Sequence, residues 1–256
     1  MSERADMAQA AHRRSRAGGR RAAVLALALL VLAAAWLGPL PALVAHSFAA
    51  HMAIHVTVVT VAAPLLAGAM AGGRCDPVRR APALFAPVPT SLLEMAVVWS
   101  WHAPLLHHWS RHSGWGLVLE QGKFLAAGTL VWLAGFGGDP ATRHERRAAG
   151  MVGLLLAAMH MTLLGALLAL APRTLYGHAG PAAMGLTALE DQQLGGVLML
   201  LVAGTAYLAG SLCLLGGLLR SGEALRSPGP WASLPARRDP PYRWRRGRCR
   251  GYSRHS

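Results

Sequence analysis

Two imidazoles stand one helical turn apart in the apolar run SFAAHMAIHVTVVTVAAPLL, residues 47–66, as His51 and His55. At i and i+4 they share one stripe of a helix, a geometry in which two imidazoles can bind a single metal ion. Met52, three residues before His55, could add a thioether from the flank. Two more histidines have apolar surroundings: His102 in WSWHAP, and His160 in AMHMT, where Met159 and Met161 point away on either side. Asp191 opens a stripe with Gly195 and Met199 in LEDQQLGGVLML. A carboxylate there could orient an imidazole, accept a proton or join a metal's coordination, or it could simply start a helix at a membrane surface. Thioether and imidazole together favour copper, since soft sulfur suits Cu(I) and imidazole accepts either oxidation state. For any single histidine the rival is an interhelical hydrogen bond that glues a bundle. Convergence of all four would favour a metal or haem site.

The elements that must position these residues are membrane helices. The chain has 256 residues, 54% of them hydrophobic and 14% charged, too apolar and too charge-poor for an ordinary soluble domain. Six apolar segments can be counted, at about 22–44, 47–71, 90–109, 115–136, 148–171 and 192–219. At about 1.5 Å per residue each can cross a hydrocarbon core of about 30 Å, the third only just. The fold class is therefore all-α, a polytopic membrane helix bundle of about six transmembrane helices. Residues 1–21 are expected to form a basic amino-terminal arm, 22–219 the bundle, and 220–256 an Arg/Pro-rich, disordered tail.

Arginines give the orientation. The arm (Arg4, Arg13, Arg14, Arg16, Arg20, Arg21), the second connector (Arg74, Arg79, Arg80), the fourth (Arg143, Arg146, Arg147) and the tail share one side; the other connectors hold only Arg111 and Arg173. The positive-inside rule then makes both termini cytoplasmic in a multi-pass protein of the cell (inner) membrane. The formal charge of +14 resides in tails and connectors between spans, so no nucleic-acid partner is expected. The start RRAAVLALALLVLAAAW has features of a signal peptide, yet apolar character continues through LGPLPALVA, which fits a span better.

This topology sets the depths of the histidines. With the second span starting near Ser47, His51 and His55 lie about 7 and 13 Å below the outer surface. His102 and His160, rising from the inside, lie about 12 Å from that same face. Four histidines on three helices thus fall in one outer-half layer. Cys75, Cys213 and Cys249 form no CxxC pair, which leaves no disulfide framework or thiolate metal site. His107, His108 and His112, with His178 and Met184 in the fifth connector, mark a weaker candidate access region, and Trp109 and Trp115 read as interfacial belt residues. Glu120 and Lys123, three apart, read as a pair that neutralises itself.

In order and spacing, HMAIHVTVVTVAAPLL, WSWHAP, MHMTLLGALL and GLTALEDQQLGGVLML resemble the motifs of the polytopic CtaG-type cytochrome c oxidase assembly factors, over about residues 20–219. The resemblance implies a role in assembling a haem-copper oxidase, with copper delivered to its metal centres from the membrane or its outer face. Carried over to this chain, the matching positions are His51, Met52, His55, Trp101, His102, His160, Asp191 and Gln192. The family commonly has glutamine where this chain has Ile54.

The expected function is a membrane-embedded assembly factor that binds copper, as Cu(I), through His51, Met52, His55, His102 and His160, with Asp191 behind them. Its partners would be the lipid bilayer, a copper donor and oxidase subunits. No catalytic nucleophile or phosphate loop is visible, so an enzyme is not expected. The rivals are a b-type haem electron carrier, a metal-free scaffold and a copper permease. Axial haem ligands must come from opposite faces, which an i, i+4 pair cannot supply. No broken-helix pair or inverted repeat supports a permease.

Overall fold

The computed structural model describes residues 2–73, 76–176 and 185–226, and no strand occurs among them. Helix α1 (Ser2–Leu37) carries the basic arm and the first apolar segment in one rod, and α2 (Leu40–Val44) follows a break at Gly38 and Pro39. The second segment is α3 (Phe48–Thr57), a π-helical turn (Val58–Ala62) and α4 (Ala63–Met70). Pro64 has no N–H for the carbonyl four residues back, and the wide turn before it absorbs that lost bond. After α5 (Pro77–Arg80) come α6 (Pro87–Trp101), α7 (Pro104–His112), α8 (Gly114–Phe136) and α9 (Arg143–Ala169). The last span is α10 (Ala188–Leu198), a π-helical turn (Met199–Ala203) and α11 (Gly204–Arg226).

Five stretches of the described residues are long and apolar enough to cross a membrane: Ser15–Val44, Phe48–Met70, Gly114–Phe136, Arg143–Ala169 and Ala188–Ser221. The protein is a multi-pass membrane protein. The third apolar segment is present as helix but interrupted: α6 stops after Trp101, Ala103 is extended (φ −64°, ψ 135°), and α7 restarts at Pro104. Proline drives its predecessor out of the helical region and clashes with the preceding turn, so the break belongs to the local sequence WHAP.

Helix α9 is the hub, packed on α6, α8, α10 and α11, while α3 packs on α10 and α4 on α1 and α8. Close approach at the hub depends on glycine. A Cβ on Gly165 of α9 would lie 2.6 Å from the Leu200 nitrogen, and one on Gly196 of α10 would lie 2.4 Å from the Ala169 nitrogen. Outward faces are apolar, as on α9, where Met159, Leu163 and Leu167 recur at four-residue spacing and are more than half exposed. Lipid is the solvent that suits such a face.

At one end of the bundle, arginines cap backbone carbonyls: Arg21 donates to Ala71, Arg147 to Gly217, and Arg146 to Phe85, Ala134 and Gly137. The opposite end gathers the starts of α3, α8 and α10 with all of α7. There Thr187 and Glu190 form a reciprocal capping box at the start of α10. Because that box is solvent-exposed, Thr187→Ala is expected to cost only about 1 kcal/mol in thermal unfolding of the detergent-solubilised protein. An unchanged midpoint would mean that the box contributes nothing.

Candidate metal centre

The first turn of α3 is built around a carboxylate from another helix. Asp191 of α10 is fully buried; it accepts from the Ser47 hydroxyl at 2.7 Å, from the Phe48 N–H, and from the Ala49 N–H at 3.2 Å. These are donors that a helix start leaves without internal partners, and a negative charge there also meets the positive end of the helix dipole. Next to it, Gln192 accepts from the Leu175 N–H at 2.6 Å and ties the preceding connector down. Gly195 makes room for α3, since a Cβ there would lie 2.4 Å from the Phe48 ring and 3.0 Å from Met52 Cγ. The Asp-Gln-Gln-x-x-Gly stretch thus docks the helix that carries His51, Met52 and His55.

His51 points at α7 and α8. Its Nε2 is 3.3 Å from a Glu120 carboxylate oxygen, and its ring meets the His107 ring edge-on at 5.1 Å. One ligand atom from each of His51, His107 and Glu120 lies within 4.8 Å of the others, and all three residues are buried. Glu120 is further held by the Ser110 hydroxyl at 3.2 Å and the Gln121 amide at 3.5 Å. The guanidinium of Arg111 lies within electrostatic reach of both Asp191 and Glu120.

One turn deeper, His55 is fully buried with no hydrogen bond to either ring nitrogen. Its ring lies 5.5 Å from that of His102 and 4.1 Å from that of Phe124. His102 sits where α6 breaks: its Nδ1 is 2.7 Å from the Val98 carbonyl, its Nε2 is 3.4 Å from Met52 Sδ, and its own carbonyl accepts from the Tyr176 hydroxyl at 2.6 Å.

His160 faces a different partner. Its Nε2 is 3.5 Å from Glu94 of α6, and the other Glu94 oxygen accepts from the Tyr207 hydroxyl of α11. With Ser91, Met95 and Met159 it lines a recess between α6 and α9. By their nearest contacts these side chains form three neighbouring groupings: His51 with His107 and Glu120, Met52 with His55 and His102, and His160 with Glu94. Asp191 stands at the cap of α3.

Two residues of the first grouping carried other readings at the level of sequence. Glu120 does not neutralise Lys123: the carboxylate turns inward to His51, while Lys123 is exposed with its ammonium 5.2 Å from the Trp101 ring. His107 stood only among possible access residues; the signal for it was its place three residues after Pro104, on the inner face of a short helix. His178, Met184, Cys75 and Cys249 lie outside the described residues, as does the tail from residue 227.

Phe48 and Tyr176 pack on His107, with ring centroids at 5.3 and 4.3 Å. The profile of the cytochrome c oxidase caa3 assembly factor family matches residues 7–221, which takes in most of α1 through most of α11 and every residue of the three groupings. The chain belongs to this family. No curated protein and no solved structure matches the chain. For an oxidase assembly factor, the donors at His51, His107 and Glu120 offer two nitrogens and one oxygen to a metal, a set that both copper and zinc accept.

Proposed function

We propose that this oxidase assembly factor carries copper as its cargo, taking it up at His51, His107 and Glu120 and passing it to a cytochrome c oxidase subunit during assembly. The observation that carries the reading is the buried convergence of those three side chains within 4.8 Å. Imidazole and carboxylate side chains inside a membrane bundle are costly to bury and mark functional positions. Family membership supplies the choice of copper over zinc, because the client is a copper-containing oxidase. In this reading the arginine-capped end and both termini are cytoplasmic, and the copper donor and oxidase subunit approach from the outer face of the inner membrane. The chain performs no catalysis on the ion; it binds and releases it.

Purified protein loaded with Cu(I) under anaerobic conditions should retain metal, and the His51→Ala/Glu120→Gln double variant should lose at least tenfold in affinity while cells carrying it fail to assemble active oxidase. Equal copper in both proteins would overturn the assignment. Normal oxidase assembly by a copper-free variant would make the protein a scaffold.

A further inference from the structure

With a neutral imidazole, the contact between His102 and Met52 has no hydrogen in it. The Val98 carbonyl, 2.7 Å from Nδ1, can only accept, so the Nδ1 of a neutral imidazole must carry the proton and donate it. That leaves Nε2 as a bare lone pair. It faces Met52 Sδ at 3.4 Å, and a thioether has no proton to give. Two electron-pair donors thus converge in the interior, Met52 fully buried and His102 nearly so. His55 stands beside them with neither ring nitrogen hydrogen-bonded. A soft cation is the partner that turns this arrangement from a desolvation cost into a bond.

We infer that Met52, His102 and His55 form a second copper station, selective for Cu(I), one turn deeper than the station at His51, His107 and Glu120. The inference rests on the copper reading above and goes beyond it by dividing the cargo path into two chemically different stops. The outer stop offers nitrogen and oxygen; the inner one offers nitrogen and sulfur. Adjacent residues of α3, His51 and Met52, serve one stop each, and His55 sits a turn below His51 with its ring against that of His102. Copper moves between the stops by exchange of ligands as Cu(I) throughout, so no electron is gained or lost. The thioether makes the inner stop discriminate against Zn²⁺ and Cu²⁺, which the outer set tolerates.

The test is anaerobic Cu(I) titration of the full-length detergent-solubilised protein against a chromophoric Cu(I) chelator, with X-ray absorption on the loaded samples. The parent is expected to bind two equivalents and to show a copper–sulfur scattering path. Met52→Leu, close in volume, should bind one equivalent and lose the sulfur path. Glu120→Gln should weaken the other equivalent and keep the sulfur path. Selenomethionine-labelled parent provides a check that needs no variant, because the sulfur path should be replaced by copper–selenium. A parent that binds a single equivalent without sulfur or selenium scattering overturns the second station and leaves the copper reading standing. One equivalent that both Met52→Leu and Glu120→Gln abolish means one merged site and also overturns it. A parent that binds no copper overturns both.

Discussion

Asp191→Ala should destabilise the detergent-solubilised protein by about 3–5 kcal/mol in unfolding free energy, because three donors at the start of α3 lose a buried, charged acceptor and each orphaned group costs about 1–3 kcal/mol. Asp191→Asn retains one acceptor oxygen and should fall between parent and alanine variant. Under the copper proposal, the loss should reach the metal as well. The first turn of α3 positions His51 against Glu120, so a frayed turn moves the ligand without touching it, and outer partners of this kind are worth about 10–100-fold in metal affinity. Denaturation monitored by circular dichroism, with copper affinity measured on the same samples, checks both effects. An alanine variant within 1 kcal/mol of the parent would show that water replaces the carboxylate.

Gly196→Ala is the second large effect. A methyl group at this position would lie 2.4 Å from the Ala169 nitrogen and 2.8 Å from the Gly165 carbonyl oxygen, both backbone atoms that cannot rotate aside. Helices α9 and α10 must then separate, at about 1–3 kcal/mol or more for an overpacked contact. Gly165→Ala meets the same crossing from the other side, at 2.6 Å from the Leu200 nitrogen. Because one separation relieves both clashes, the double variant should cost less than the sum of the singles. Strict additivity in thermal unfolding would show that the two glycines act at unconnected contacts.

Much of the fold was legible because lipid imposes a simple code. Apolar length marked the spans, and arginine placement separated the two ends, where Arg21, Arg146 and Arg147 do cap carbonyls together. The third segment was legible in length and missed in form, although Pro104 in WHAP is an ordinary signal for a helix stop. The site was harder to read. Sequence position along a span gives depth with fair accuracy, but direction around the helix axis is decided by packing. His160 shares the depth of His55 and ends against Glu94, while Glu120 turns away from Lys123 to meet a histidine 69 residues earlier in the chain. The pairing of His51 with His107 and Glu120 is tertiary, and no local spacing encodes it.

The break after Trp101 has an elastic consequence. At 15 residues, α6 is about 22 Å long, some 8 Å short of an average hydrocarbon core of about 30 Å. A short span is met by local thinning of the bilayer, by snorkelling of flanking residues or by association with a neighbour, at fractions of a kcal/mol for each ångström of mismatch. Exposed Lys123, set against Trp101 and well inside α8, marks the same flank, where a nearer headgroup layer would shorten the reach of its ammonium to water. A neighbouring membrane protein that covers this flank would relieve the deformation. The lipid would then favour its arrival beside the break, next to the imidazole of His102.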